Sequence, residues 1–258
     1  MRKLGLNLGK YCGETLAVPA YFADLAAAAR AHGWRDVSFP TTAGKLLPAY
    51  FRGSAAGERP TIYISAGIHG DEPAGPLAGL QLLREDTWPA GANLLLCPVL
   101  NPDGLAGNSR ENPSGVDLNR DYKDPQSPET QAHVAWLQTQ PAFAVTLCLH
   151  EDWEAQGFYL YELNPDARPS FAPAMIAAVA PLCPIDLSPE IEGRAAAGGI
   201  IHPSVEPSSR PLWPEAFHLL RHHTRLSYTL EAPSDFPLSV RVAALVAAVR
   251  VVLAAFAK

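Results

Sequence analysis

The chain has 258 residues, a net charge of −6, 48% hydrophobic residues and 18% charged residues. That composition excludes global disorder, and the charge gives no basic footprint for a nucleic-acid partner. The length suits one α/β domain with a sizeable core; no charged or Ser/Gly linker divides it, so a single domain over 1–258 is expected.

Twenty-five prolines cluster outside the periodic segments and predict long irregular connections, the usual walls of a site. Cys12, Cys97, Cys148 and Cys183 lie far apart without a CxxC or CxxH pair, which argues against a zinc–thiolate site or a disulfide scaffold. Cys97 and Cys148 are flanked by apolar strand residues and should pack as small hydrophobes. The N-terminal MRKLGLNLGKYCGETL lacks an apolar core of signal-peptide length. Val240 to Phe256 is the most apolar tract, but Arg241 and Arg250 interrupt it and it is short for a bilayer, so it reads as a core-facing helix. A cytoplasmic protein without a membrane partner is expected, and no feature of the sequence addresses oligomeric state.

In chain order, Tyr21 to Ala31 is alanine-rich and stopped by Gly33, a helix. Leu46 to Arg52 and Thr61 to Ala66 read as neighbouring strands separated by the turn-rich GSAAGERP. The second ends in Gly67-Ile68-His69-Gly70-Asp71-Glu72, which places an imidazole and a carboxylate three residues apart on a glycine-rich turn. Pro73 to Arg84 carries Leu77, Leu80 and Leu83 at helical spacing, with its prolines confined to the first turn. Asn93 to Leu100 is the next strand, followed by Asn101-Pro102-Asp103-Gly104, a turn by local rules. Gly107 to Tyr122 is polar; taken alone it is a solvated loop. Pro128 to Gln138 resembles a helix, and Phe143 to Leu149 is a buried strand running into His150-Glu151-Asp152. Gly157 to Glu162 and Phe171 to Ala180 read as a strand and a helix. Cys183 to Leu212 has many Pro, Gly and Ser residues and no period, the mark of a long shaping loop whose Gly193-Arg194 and Gly198-Gly199 would be a flexible lid. Thr224 to Leu230 is a strand ending at Glu231, and Ser234 or Asp235 can cap a last helix starting near Pro237.

A strand, loop and helix in alternation is the parallel α/β pattern, here a mixed, mostly parallel twisted sheet with helices on both faces. In such sheets ligands bind beyond the carboxyl ends of the strands. His69, Glu72, His150 and Glu231 each follow a strand and should meet on one rim. Two histidines and one glutamate are the ligand set of a catalytic zinc that keeps a coordination position open, and a further carboxylate can act on a proton beside it. Taken singly, each residue is also explained as a solvated or capping group; four of them at strand ends are not.

The ordered set His69-x-x-Glu72, Asp117-Leu118-Asn119-Arg120, His150 and Glu231 resembles the zinc carboxypeptidase family, that of carboxypeptidase A and the bacterial murein-peptide amidases, over Thr61 to Glu231. GIHGDE, NPDG and GVDLNR look nearest to the amidase-like branch. The resemblance implies the zinc carboxypeptidase fold, one zinc ion on His69, Glu72 and His150, and Asp117 accepting the second ring N–H of His69. It also implies that Asn119 and Arg120 grip a free carboxylate, that Arg110 stabilises the oxyanion and that Glu231 is the general base. The implied substrate is a peptide cut beside a free carboxylate. An N-acyl amino acid is the alternative, as in the related succinylglutamate desuccinylase/aspartoacylase group, whose frame is similar; NPDG in place of that branch's NPRA tilts toward peptides. A non-catalytic zinc-binding module is a third reading, against which Glu231 and Arg110 together argue.

The chain departs from the family in two places. No cleft tyrosine aligns; Tyr159, Tyr161 and Tyr228 are the nearest, in strand context that suggests core or rim. Glu151, Asp152 and Trp153 follow His150, where many members have a small polar residue; the two acids read as a solvated turn, or as a filter favouring basic substrates. Of the other histidines, His202 has a loop position that can reach a cleft, whereas His222-His223 has no zinc spacing with His69 and fits a surface or helix-end role.

Overall fold

The alanine-rich segment forms α1 (Val18–Ala31), which ends where Gly33 takes the left-handed φ of 70° that favours glycine. This computed structural model describes residues 2–7, 13–53, 59–206 and 210–257. Cys12 and the 54–58 part of GSAAGERP lie outside the described residues. Four short strands follow α1: β1 (Arg35–Asp36), β2 (Phe39–Pro40), β3 (Leu46–Leu47) and β4 (Tyr50–Arg52). The strand expected over Leu46 to Arg52 is broken at Pro48, which has no N–H for a ladder; β3 pairs instead with β2 in a separate hairpin.

Next, β5 (Thr61–Ala66) is buried at all six positions, so both its faces are covered by protein. Helix α2 (Ala74–Glu85) carries the chain back to β6 (Asn93–Cys97), parallel to β5 and beside it. That crossover puts β6 between β4 and β5, so β4 pairs antiparallel with β6 and is not the neighbour of β5 that adjacency in sequence suggests. The NPDG segment is likewise more than a turn. It starts α3 (Pro102–Gly107), with Pro102 in the first helical turn and the Asn101 side chain accepting the Gly104 N–H at 2.9 Å.

Helix α4 (Pro128–Leu137) is capped by Ser127, and leads to β7 (Phe143–Asp152), β8 (Tyr159–Leu163) and α5 (Ala172–Val179). The expected irregular loop after Cys183 contains three short strands, β9 (Glu190–Ile191), β10 (Arg194–Ala197) and β11 (Ile200–Ile201). They are too short to print a period, and their tight turns fall at Gly193 and at Gly198-Gly199. Helix α6 (Glu215–His222) follows, an element its mixed sequence does not announce because polar side chains occupy part of its buried face. Then come β12 (Ser227–Pro233) and the 18-residue apolar helix α7 (Leu238–Ala255). No side chain caps α7: Asp235 instead accepts the N–H groups of Gly5 and Leu6 at 3.1 and 2.9 Å, and the Ser234 N–H donates to the Asp152 carbonyl.

Among the described residues the main sheet has ten strands in the order β1-β4-β6-β5-β7-β12-β8-β11-β10-β9. Its centre, β6, β5, β7 and β12, is parallel, so four strand ends share one edge. Side chains alternate across it. Ile62, Ile64, Leu147, Leu149, Leu230 and Ala232 face the core made with α1, α2, α5 and α7. Tyr63, Cys148 and their neighbours face α4 and α6. Both cysteines of this region, Cys97 and Cys148, are buried free thiols, as their apolar flanks predict.

Helix α7 is long and apolar enough to cross a membrane, but here its Ala244, Leu245, Val249 and Val252 are buried in the core.

Candidate metal centre and active site

The turn after β5 is shaped by two glycines. Gly67 has a φ of 60°, and a Cβ on Gly70 would lie 1.8 Å from the Gly104 backbone, so only glycine lets the turn press against α3. This places His69 and Glu72 on the parallel edge. His150 and Glu231 are not beyond their strands, as expected from sequence, but inside the last turns of pleat of β7 and β12, where the register sets Glu231 directly opposite His150 and Tyr159. Alternation then sends the side chains of His150 and Glu231 to the α4/α6 face, and Glu151 to the other.

His69, Glu72 and His150 are all buried, and one ligand atom of each lies within 4.8 Å of the others. His69 Nδ1 is 2.5 Å from Glu72 Oε1, and His150 Nδ1 is 2.9 Å from Glu72 Oε2. The remaining His69 nitrogen, Nε2, is 3.1 Å from Asp117 Oδ1, a bond that fixes the tautomer and leaves Nδ1 as the ligand lone pair. The Glu151 N–H donates to Glu72 Oε2 at 3.1 Å. Two imidazoles and a carboxylate, converged, buried and oriented from behind, fit a divalent ion.

The charges are strongly coupled. Burial works against a charge on His69, but Glu72 and Asp117 outweigh it and raise its pKa to about 9. Burial also opposes ionisation of Glu72 and Asp117, yet the histidines hold Glu72, and His69 with Arg110 hold Asp117, well below the usual carboxylate range. Below pH 9 the metal-free His69 therefore carries a proton that an incoming ion must displace. Zinc uptake at pH 7 should release about one proton from this residue, read as a dependence of the calorimetric heat on the buffer's ionisation enthalpy. Heats independent of buffer would contradict it.

Arg110 reaches across the turn. Its Nε and Nη2 bind Asp117 Oδ2 at 3.1 and 3.0 Å, which leaves Nη1, 3.7 Å from Glu72, nearest the metal ligands. Asn119 is buried in a short 3-10 turn, Leu118–Arg120, and its side-chain oxygen accepts the Glu215 N–H at 2.9 Å. That commits the oxygen to α6 and leaves the amide N–H donors on the pocket side. Arg120 is exposed on the rim. The Glu231 carboxyl is pushed far up by burial; His150 and Arg110 pull against that, and Glu72 and Asp152 add to it.

These residues line an open pocket of about 750 Å³. Several of its groups carry no signal that sequence reasoning could use: Arg194 and Arg210 arrive from the segment between Cys183 and Leu212, and Asp71 sits between two ligands. Tyr159 and Tyr161 both line the pocket, and the Tyr159 hydroxyl donates to Asp152 at 3.0 Å. Tyr228 does not, because it is buried on the opposite face, donating to Glu162. His202 is exposed, with Nδ1 3.6 Å from Glu162, and stays out of the pocket.

Glu151 corrects the expectation of a solvated acidic turn. It is buried, accepting the Ala74 N–H at 2.6 Å and pairing with Arg241 Nη1 at 2.5 Å, so of the two acids only Asp152 is free to influence a substrate.

Residues 58–185 match the family model of the succinylglutamate desuccinylase/aspartoacylase catalytic domain. Carboxypeptidase SOL1 of Arabidopsis thaliana is 31% identical over an alignment spanning 35% of this chain and 23% of that protein, so the chain spans about a quarter of this curated relative. A solved structure of a metallopeptidase candidate from Shewanella baltica superposes with a TM-score of 0.80 at 24% identity, covering 93% of this chain and 92% of the other. A metallo-carboxypeptidase from Burkholderia cenocepacia gives 0.69 at 19% identity, covering 94% and 69%. The parallel-edge fold is thus shared with metallo-carboxypeptidases, and the match to the desuccinylase/aspartoacylase catalytic-domain model falls on the stretch that holds His69, Glu72, Asp117 and His150.

Proposed function

We propose that the protein is a zinc-dependent hydrolase that cleaves an amide bond beside a free carboxylate, acting on peptides as a carboxypeptidase or peptide amidase. The observation that carries this reading is the placement of Glu231 opposite His150, on the same sheet face, in one pocket with His69, Glu72, Arg110, Asn119 and Arg120. Two nitrogens and a carboxylate favour zinc. When bound, zinc supplies Lewis acidity that lowers the pKa of water to roughly 7.

The chain's own residues supply the rest. Glu231 takes a proton from the attacking water and returns it to the leaving nitrogen; its raised pKa suits a group that must hold that proton between the two steps. Arg110 Nη1 faces the charge that develops on the carbonyl oxygen. Arg120 and the Asn119 amide hold the substrate carboxylate, and the oriented Asn119 donors need no reorganisation. On this reading Arg110→Ala lowers kcat by roughly 100-fold or more, with KM far less affected. A change confined to KM would remove Arg110 from this role.

One observation favours a second substrate class, an N-acyl amino acid: the catalytic-domain match belongs to the desuccinylase/aspartoacylase model. Release assays on the zinc-loaded protein with matched libraries of free-carboxylate peptides and N-acyl amino acids separate the two. Peptide cleavage supports the first reading, turnover of acyl amino acids alone the second, and zinc bound without turnover of either a binding module. The described cysteines are free thiols, which suits the reducing cytoplasm in which we place the protein.

A further inference from the structure

Behind α4 and α6, apart from the pocket just described, lies a second cavity of about 490 Å³ walled by Tyr122, Val134, Trp213 and three histidines, His218, His222 and His223. His218 and His222 are four residues apart on α6, so their rings stand one above the other on one helix face. His223 caps the helix with a φ of −130°, off the helical path, which turns its ring toward the same space. The ring centroids are 4.7 Å apart for His218 and His222, 5.8 Å for His218 and His223, and 6.4 Å for His222 and His223. The corresponding spacing of His69 and His150 at the metal centre is 5.1 Å.

His218 and His223 are more than nine-tenths buried, yet neither nitrogen of His218 and not the Nε2 of His223 makes a well-formed hydrogen bond, the Tyr122 backbone offering His218 a weak one at most. Such a group costs roughly 1–3 kcal/mol when left unpaired. Nothing in the core requires three imidazoles here: Tyr122, which packs on His218, spends its hydroxyl on His133.

We propose that His218, His222 and His223 form a second metal site, for a late divalent transition ion of the copper, nickel and zinc group. Imidazole nitrogens suit these ions, and the absence of a carboxylate among the described residues of the cavity wall disfavours calcium and magnesium. Burial and the neighbouring imidazoles hold His218 at a pKa of about 4, against a smaller pull from the Tyr122 backbone, so the ring is in its neutral, ligating form at pH 7. Lys123, the cation on the wall, is held away by its bond to the Arg210 carbonyl at 3.1 Å. One adjustment completes the site. Among the described residues only His69, Glu72 and His150 have ligand atoms already converged within 4.8 Å, so the exposed ring of His222 must rotate inward to meet the other two.

The test uses the zinc-loaded full chain, equilibrated with excess Cu²⁺, desalted, and analysed for total metal per chain. Wild type should carry two ions and His222→Ala one, and the copper spectrum of wild type should show coupling to imidazole nitrogens that is weakened in the variant. His222 is exposed, so the variant should melt at the wild-type temperature, and its second-ion affinity should fall at least roughly tenfold, since even an outer partner of a ligand costs that much. His69→Ala should retain the second ion, which separates this site from the first. One ion in wild type, or two in both wild type and His222→Ala, overturns the proposal and leaves a water-filled cavity.

Discussion

Glu231→Gln should lower turnover by at least roughly 100-fold, and toward 10⁴-fold if the carboxylate acts in both proton transfers, while the protein still binds zinc at its first site. The reason is positional. Glu231 is not among the residues whose ligand atoms converge, so the metal does not depend on it, but it is held by β12 directly opposite His150. Glutamine preserves the shape and the hydrogen-bonding reach of the side chain and removes only its ability to carry a proton. Zinc content by elemental analysis and kcat on the best substrate decide the matter together. Loss of zinc in the variant would make Glu231 a ligand; retention of both zinc and activity would hand the proton to another pocket carboxylate, such as Asp152.

The largest stability effect is expected far from that chemistry, at Arg241. Its side chain is 1% exposed, and Glu151, its partner, is fully buried. The same guanidinium also pairs with Glu14, so one arginine ties an N-terminal acid, α7 and β7 together. Arg241→Met removes the cation and strands a buried carboxylate, which costs on the order of 3–5 kcal/mol. Burial already pushes Glu151 up to about 7 despite the pull of Arg241, so without that pull it should take up a proton at neutral pH. Adding Glu151→Gln should therefore recover part of the loss, because glutamine leaves no charge to strand. Urea midpoints of the two single variants and the double variant check this. A double variant no better than Arg241→Met would show that packing of the long side chain, and not its charge, was the contribution.

Much of this was legible in the residues because parallel strands write themselves in buried β-branched runs. Thr61–Ala66 and Phe143 onward read that way, and each delivers a candidate ligand where its run stops. Short strands did not read: β9, β10 and β11 have two to four residues each, too few for any period, though they bring Arg194 to the pocket. Helix α6 was hidden for a different reason. Its buried face includes Glu215, whose carboxylate accepts from Tyr63 and Ser65 at 3.0 and 2.9 Å, and a buried acid looks like surface until its partners are known. Glu151 misled in the same way, since its partner Arg241 lies ninety positions away in sequence.

The order of the sheet has a consequence for how the protein is made. Strand β12 lies between β7 and β8, yet it leaves the ribosome after both. Until β12 emerges, at roughly the last eighth of the 258 residues, the two halves of the sheet each end in an unpaired edge, β7 on one side and β8 on the other, with the vacant lane between them. The nascent protein thus passes through a stage that holds the proposed metal ligands, on β7 and the turn after β5, but not Glu231, the proposed base, and that leaves two sticky edges that the arrival of Ser227–Pro233 seals. On the proposed mechanism, the base and the protection from aggregation arrive in the same step of synthesis.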